Sequence, residues 1–428
     1  MKKFPKYSSY KESEIEWLQE IPEHWDEIKI KHLFKERVEK GFEGKPLLAA
    51  TQSGGVIKKE DYATNTVTAQ KDFHLLKLVK IGDFVISLRS FQGGIEISYE
   101  EGIISPAYTI MKPKSSLDKN YFKHLFKSKY FIDGLATFVT GIREGQNIDY
   151  SKFRRSNILL PPPSEQTAIA NFLDKKTTEI KEFIALKEKT IELLKERKMA
   201  IINELVTGKK VWNGTEWAAP KEVKDSGIEW LDKIPKDWEV KKLKYVSKII
   251  YGISPHESTY NIEGKGKILI NGPAEYSVEN FGYTRAIKWT TLPVKFARKG
   301  DLLFCLRGST TGRLNICHDD VAIGRGCAAL RGEIDQDFFI LAIFSLKEKI
   351  IETFKGSTFP SVTSEDLNNY SITFCSETEM KKIVKKANEI NLEIDDLIIK
   401  TQSEINLIKE YQQSLISEVV TGKVDVTI

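Results

Sequence analysis

The chain repeats itself, and the repeat limits what it can fold into. Residues 11–31, KESEIEWLQEIPEHWDEIKIK, return 213 residues later as KDSGIEWLDKIPKDWEVKKLK, with 11 of 21 positions identical. Ile15, Trp17, Leu18, Ile21, Pro22 and Trp25 are matched by Ile228, Trp230, Leu231, Ile234, Pro235 and Trp238. A second echo closes each copy, where Glu204-Leu205-Val206-Thr207-Gly208-Lys209 becomes Glu418-Val419-Val420-Thr421-Gly422-Lys423 at an offset of 214. Two such copies make a covalent pseudo-dimer rather than a solenoid, which needs three or more short repeats to bury a continuous core. Each copy is long enough for its own core. The two can present related surfaces about an approximate two-fold axis while differing in detail.

Composition excludes several classes. With 41% hydrophobic and 29% charged residues the chain reads as an ordinary globular protein. No apolar run reaches the roughly 18 residues of a membrane span, and MKKFPKYSSY lacks an apolar signal core, so a cytoplasmic location is expected. Cys305, Cys317, Cys327 and Cys375 all fall in the second copy without a CxxC pair and read as reduced, buried thiols. Net charge is only +5, and a basic run such as Lys119, Lys123, Lys127 and Lys129 reads first as a solvated face.

Within each copy the texture changes once. Up to Pro163, short β-branched and aromatic runs are cut by Gly, Pro and Asn, as in Phe84-Val85-Ile86 and Ile103 to Ile110, with a helix expected near Lys119 to Phe131. After Pro161-Pro162-Pro163, the stretch to Thr207 contains neither Gly nor Pro before its end and reads as one long helix. Its apolar residues keep a seven-residue beat. Leu173, Ile180, Leu194 and Ile201 share one register, and Ile184, Ile191 and Leu205 the other. The second copy repeats the beat with Ala387, Ile394, Ile408 and Leu415, then Ile398, Ile405 and Val419. Even the polar interruptions coincide, Thr177, Lys187 and Lys198 aligning with Asn391, Thr401 and Gln412. Two such stripes predict a two-stranded coiled coil. The duplication favours an antiparallel pairing, with the globular units at opposite ends of a rod about 63 Å long at 1.5 Å per residue.

The order IEWLxxIPxxW, a variable αβ region, LPPPSEQ opening a long helix, and then the whole again, resembles the DNA specificity subunit of type I restriction-modification systems. The resemblance covers the full chain. It implies an α+β fold in which two αβ target recognition domains are joined by two long helices forming an antiparallel coiled coil with pseudo-two-fold symmetry. Expected boundaries are 1–163 for the first recognition domain, 164–207 for the central spacer, 208–223 for the linker, 224–375 for the second domain, 376–421 for the distal spacer and 422–428 for a tail. Each domain would read one half of a two-part, asymmetric site in double-stranded DNA. The helices would dock two methyltransferase (modification) subunits, with restriction/translocase subunits joining that core. The second copy departs from the pattern: Phe374 to Met380 lacks the prolines and the Glu-Gln pair of Pro161 to Gln166, which leaves the start of its helix open.

The copies also suggest where DNA is touched. Gly82-Asp83 followed by Leu88-Arg89 matches Gly300-Asp301 followed by Leu306-Arg307, each leading into a polar, Gly-rich loop. Arginines shared by units that read different bases fit a phosphate contact, or an ion pair that holds the loop, better than base readout. Polar residues that differ between copies are the base-reading candidates: Gln92, Arg143, Gln146 and Asn147 in the first, Thr310, Thr311, Arg313 and Arg325 in the second. Arg suits guanine O6/N7 and Asn or Gln suits adenine N6/N7. Trp17, Trp25, Trp230 and Trp238 are identical in both copies and therefore read as packing between globular unit and helix.

Catalytic signals are poor. Gly324 to Ala329 fits GxGxxA, but the aligned Ser105 to Ile110 has no glycine and no strand-turn-helix context is evident. The tetrapeptide Ser105-Pro106-Ala107-Tyr108 only loosely resembles an amino-methyltransferase Pro-Pro-Tyr element. No GxxxxGK[ST] loop occurs, the six histidines never pair at metal-ligand spacing, and Cys317, His318 and Cys327 lack a fourth ligand. The chain is thus expected to be a non-catalytic subunit without cofactor or metal of its own, with S-adenosylmethionine, ATP and Mg on partner subunits. A coiled-coil adaptor without DNA specificity is the competing reading.

Overall fold

A computed structural model describes residues 4–15, 17–52, 54–62, 72–140, 147–277, 281–308, 310–352 and 361–427, with the backbone alone at 140 and 348–351. The chain forms two compact units, Met1–Glu188 with Gln402–Ile428, and Lys189–Thr401.

In the first unit β1 (Asp26–Lys29), β2 (Phe34–Arg37), β3 (Phe84–Ile86), β4 (Glu96–Ile97) and β5 (Thr109–Pro113) precede α1 (Lys119–Lys127), α2 (Lys129–Leu135), β6 (Asn157–Leu160) and the long helix α3 (Pro163–Val206). An antiparallel sheet runs β2-β5-β3-β4, with Ile110 of β5 opposite Arg37 on one side and Val85 on the other. Outside it, β6 pairs with β1, placing Ile158 opposite Ile28. Apolar side chains at adjacent and i+4 positions of α1 bury Tyr121, Phe122, Leu125 and Phe126 completely. Phe126 meets Phe84 edge-on at 5.0 Å.

The expected single helix from Lys119 to Phe131 is two helices. Ser128 ends one and starts the next, its hydroxyl donating to the Leu125 carbonyl (2.8 Å) and accepting from Phe131 N (3.3 Å). The run from Ile103 to Ile110 likewise divides, Gly102–Ile104 pairing with Lys77–Val79 and Thr109 opening β5.

The second unit repeats this plan with β7 (Glu239–Lys242), β8 (Ser247–Tyr251), β9 (Leu302–Cys305), β10 (Leu314–Ile316), β11 (Cys327–Gly332), α4 (Gln336–Glu352), β12 (Ser371–Phe374) and the long helix α5 (Glu377–Val420). Its sheet order, β8-β11-β9-β10, is that of the first unit, and β7-β12 reproduces β1-β6. It adds a further set of short strands, among which Lys267–Ile270 and Val321–Ile323 pair in parallel. In the stretch between the copies, Val211–Trp212 and Trp217–Ala218 form a hairpin.

The long helices pack antiparallel within each unit. In the first, Ile169 and Leu173 of α3 share a core with Leu415 and Val419 of α5, and Lys187 Nζ lies 2.7 Å from Glu404 Oε2. In the second, Ile202 and Leu205 of α3 share a core with Met380, Ile383 and Ala387 of α5, and Lys198 Nζ lies 2.8 Å from Asp395 Oδ1. The polar interruptions at Lys187 and Lys198 therefore carry ion pairs between the helices. Along the seam of the first unit Leu173, Ile180, Ile405, Leu415 and Val419 are buried and Ile184 and Ile408 half-buried. In the second, Ile191, Leu205, Ala387 and Ile394 are buried and Leu194, Ile201 and Ile398 half-buried.

The repeated sequence motifs mark where the helices are joined. Trp25, fully buried, donates its indole N–H to Glu165 Oε2 at the start of α3 (2.9 Å), and Trp238 does the same to Glu379 Oε2 at the start of α5 (3.0 Å). Although the Glu-Gln pair is not kept in the second copy, its glutamate is, 214 residues on. Gln166 has a separate task, donating to the Pro161 carbonyl (2.8 Å) and accepting from Asp118 N (3.1 Å). Pro163 sits in the first turn of α3, where its missing N–H is not needed.

At the other ends, Gly208 and Gly422 follow α3 and α5 with φ of 72° and 73°. A Cβ at Gly208 would collide with Pro235, and one at Gly422 with Pro22. Each glycine thus lets a helix stop in the left-handed conformation and bring its end against the Ile-Pro-x-x-Trp segment. This accounts for the conserved spacing of both echoes within the chain.

Candidate nucleic-acid interface

In the first unit the loop leaving β3 carries Arg89, exposed, and a single helical turn, Ser90–Gly93, that presents Gln92 to solvent. The loop is pinned from behind. Lys127 Nζ at the end of α1 donates to the carbonyls of Gln52 (2.8 Å) and Gly93 (2.6 Å) and pairs with the buried Glu96 carboxylate. Arg89, Ser87, Leu88, Gln52 and Tyr108 line a cleft of about 770 Å³. The Ser90–Gly93 turn lies beside the strand Asn147–Ile148, so Arg89, Gln92 and the exposed Asn147 share one neighbourhood. Arg143 and Gln146 fall outside the described residues.

In the second unit the equivalent loop joins β9 to β10. Arg307 leaves the end of β9 exposed, and Thr310 and Thr311 follow, half-buried, with Thr311 Oγ1 donating to the Gly308 carbonyl (2.7 Å). Leu306 N donates to the Gly326 carbonyl (2.8 Å), which sets the exposed Arg325 on the backbone next to Arg307. Arg313 differs from these: its Nη2 donates to the Ser277 carbonyl (3.1 Å), so it braces the loop from inside. Arg89, Arg307 and Arg325 have no ion-pair partner among the described residues, which leaves three guanidinium groups facing solvent beside loops of different sequence.

The carboxylate of each Gly-Asp turn is used for structure. Asp83 accepts from Arg37 Nε (2.7 Å) and from Lys80 N (2.9 Å). Asp301 accepts from Arg331 Nε (2.8 Å) and Nη2 (2.6 Å) and from Arg298 N (2.8 Å). Arg37 lies on β2 and Arg331 on β11, so each buried carboxylate is neutralised by an arginine from a different strand. These two arginines were not among the sequence candidates, and their positions do not align. Their pairing leaves Arg89 and Arg307 available for something else.

Two members of the lysine run, both on α1, are occupied. Besides Lys127, Lys123 Nζ lies 2.6 Å from Asp174 Oδ1, and His124 Nε2 lies 2.7 Å from the same oxygen. Burial holds His124 below the ordinary imidazole range, while Asp174 is drawn down to about 2, chiefly by the bond from His124 and then by Lys123. Burial dominates at the ring, so the contact is a neutral imidazole N–H donating to a carboxylate.

Gly324 and Gly326 have a packing role. A Cβ at Gly324 would collide with the Asn271 side chain, and one at Gly252 with the Gly324 carbonyl. The GxG spacing thus serves three closely apposed backbones, with no helix following it. All four cysteines are buried and unbridged, and burial pushes the Cys327 thiol up to about 12. Among the described residues no three His, Cys, Asp or Glu side chains converge as metal ligands would, and no helix is long and apolar enough to cross a membrane.

Residues 235–407 match the type I restriction modification DNA specificity domain family. A protein of Methanocaldococcus jannaschii described as the MjaX type I restriction enzyme specificity subunit is 28% identical, over 99% of this chain and 98% of its own. The MjaIX specificity subunit of the same organism is 23% identical over 82% and 79%. A solved chain from a study of complex assembly and conformational transition of the type I R-M system superposes with a TM-score of 0.68 at 18% identity, covering 94% of this chain and 99% of that one. The HsdS subunit from Thermoanaerobacter tengcongensis superposes with a TM-score of 0.50 at 18% identity, over 94% and 98%.

Proposed function

We propose that this chain, which belongs to the DNA specificity subunits of type I restriction-modification systems, reads a two-part DNA site for a multisubunit complex whose chemistry other subunits perform. The observation that carries the reading is the duplicated sheet. The β3–β4 and β9–β10 connections hold the same place in one sheet order, each carries near its start an exposed arginine with no ion-pair partner among the described residues, and their remaining residues differ. Two similar readers of dissimilar sequence suit an asymmetric site.

On this reading the recognition domains are 1–163 and 224–375, the helical spacers 164–207 and 376–421, the linker 208–223 and the tail 422–428. Arg89 and Arg307 neutralise phosphate. Gln92 and Asn147 in the first domain, and Thr310, Thr311 and Arg325 in the second, reach base edges, each good bidentate contact contributing about 1–3 kcal/mol of discrimination. Arg313 supports its loop from inside. Arg143 and Gln146 stay candidates by sequence alone.

The helices serve as the docking surface for two methyltransferase subunits, with restriction/translocase subunits added to that core. In support, apolar side chains that the seam does not use stand exposed: Leu186 and Leu407 in the first unit, Leu193, Leu392 and Ile399 in the second. S-adenosylmethionine, ATP and Mg belong on the partners.

Mapping methylated adenines in cells that express this chain with its modification subunit tests the reading. Modification confined to one bipartite sequence, and lost without this chain, is the expected result. Unchanged modification without it, in the presence of an active partner, refutes it and leaves a coiled-coil adaptor.

A further inference from the structure

Cys305, Cys317 and Cys327 share one core cluster of the second unit, and two of them face each other across its sheet. Cys305 ends β9, Cys327 opens β11, and the register sets them directly opposite. Neither backbone bonds to the other residue. Cys305 N donates to the Arg313 carbonyl (2.9 Å) and Cys327 N to the Gly324 carbonyl (3.0 Å), while the two cysteine carbonyls accept from Gly312 N (2.8 Å) and Gly252 N (2.9 Å). The ladder bond falls one step on, from Leu306 N to the Gly326 carbonyl (2.8 Å). This is the non-hydrogen-bonded kind of cross-strand position, in which facing Cα atoms stand about 4.5 Å apart and the side chains share one face. Cysteines are bridged at Cα separations of roughly 4.4–6.8 Å.

The first unit, which contains no cysteine, serves as an internal control: Ser87 follows β3 and Tyr108 precedes β5 at the corresponding places. In the second unit the pair stands at the root of the loop that carries Arg307, with Arg325 two residues before Cys327. The Cys305 thiol donates to the Arg307 carbonyl (3.4 Å) and lies 3.7 Å from Thr310 Oγ1. Cys327 Sγ accepts from the Tyr276 hydroxyl (3.4 Å). Cys317 belongs to the far end of β9, its N–H donating to the Asp301 carbonyl (2.9 Å), and Cys375 lies in a different core.

We infer that Cys305 and Cys327 are an oxidative modification site, converted by a small-molecule disulfide such as oxidised glutathione into a cross-strand disulfide that resets the reading loop of the second domain and leaves the first untouched. The consequence for the loop rests on the DNA reading proposed above; the linkage itself does not. One cysteine thiolate attacks the S–S bond of the oxidant and releases one glutathione thiolate. The second cysteine thiolate then displaces the other, so two S–H bonds are exchanged for one S–S bond. Two electrons pass to the oxidant, and the two protons end on the two glutathione thiols. Linkage draws the Cys305 sulfur away from the Arg307 carbonyl and Thr310, two contacts that hold the loop. Both thiols are at most 1% exposed, so the oxidant meets them when the cluster opens. The site therefore answers sustained oxidising conditions rather than a brief pulse.

The intact chain is held in a buffer of reduced and oxidised glutathione until the same products form from either starting state, then alkylated, digested and mapped by mass. In the folded chain the expected product links Cys305 to Cys327 and leaves Cys317 and Cys375 free. Unfolded in urea, the chain should prefer Cys317 with Cys327, 10 residues apart, over Cys305 with Cys327, 22 apart, by about threefold from loop closure. The fold must therefore reverse the order that chain length sets. Cys317→Ala should keep the linkage, and Cys305→Ala should lose it. With the half-sites known from methylation mapping, oxidation should lower discrimination against a changed base in the second half-site by about tenfold, the worth of one base contact, and leave the first half-site as it was. Linkage in the unfolded proportions, a bridge to Cys317 in the folded chain, or equal discrimination at the second half-site in both redox states would overturn the inference. A reduced chain that discriminates at neither half-site would instead fail the DNA reading, and with it the control of the loop, whatever the linkage map shows.

Discussion

Replacing Asp301 by alanine should loosen the sheet that presents Arg307. Asp301 is 3% exposed and neutralises Arg331, 25% exposed, through two bonds, while capping its own turn through Arg298 N. Breaking a buried pair by removing one partner costs about 3–5 kcal/mol, because the other charge stays behind. Water reaches a quarter of Arg331, which places the cost near the low end, about 3 kcal/mol. At about 1.4 kcal/mol per decade that is a roughly hundredfold rise in the open population.

Cys305, Cys317 and Cys327 report it directly. All three are at most 1% exposed in one core cluster that lines the same sheet, so a thiol reagent reaches them only when that cluster opens. In dilute urea, with reclosing faster than reaction, labelling of these thiols should accelerate by about that factor. Asp301→Leu combined with Arg331→Met, an apolar pair of similar bulk, should return labelling close to the parent rate. Labelling of Asp301→Ala within threefold of the parent, or a double variant no slower than the single one, would refute the reasoning.

Arg89→Ala and Arg307→Ala should each reduce the slope of log affinity against log salt for any DNA by about 1, whereas Arg313→Ala should lower stability with little change in slope, as binding titrations at several salt concentrations would establish. Gly208→Ala and Gly422→Ala place a Cβ at positive φ against a proline, and each should cost at least the roughly 1–2 kcal/mol of the left-handed conformation, measured as a lower urea midpoint. Acid should act on the first unit in two stages. His124 takes its proton less readily folded than unfolded, so stability falls as pH drops below the ordinary imidazole value of 6.5. The contribution of Asp174 is present above 3.8 and is lost towards about 2. His124→Gln should remove the first stage and shrink the second, of which the Lys123 contribution remains, read from urea midpoints between pH 7.5 and 3.

The repeat, the long helices and their seam were legible because each rests on spacing within the chain: identity at an offset of 213 or 214, and a seven-residue beat. The loops that face solvent were located for the same reason, since Gly-Asp and the following arginine recur. What each arginine does was not legible. Arg307 and Arg313 are alike in sequence, yet the latter is turned onto the Ser277 carbonyl by a segment 36 residues away. The partner of the Gly-Asp carboxylate comes from β2 in one unit and β11 in the other, which no alignment of the copies can reveal. The division of one expected helix at Ser128 depends on a hydroxyl serving both neighbours, a choice that periodicity does not encode.

The boundary between the units carries a consequence for synthesis. The second unit is one unbroken stretch of chain, Lys189–Thr401, whereas the first needs Gln402–Ile428 as well as its own first 188 residues. Leu415 and Val419 lie in the same core as Trp25 and Leu173. A ribosome adding about 5–20 residues per second therefore leaves the amino-terminal half waiting for on the order of 10–50 s with part of its core uncovered, while the half made later closes first. During that interval the early half is the one exposed to chaperones, to proteases, and to the same apolar stripe on another nascent copy.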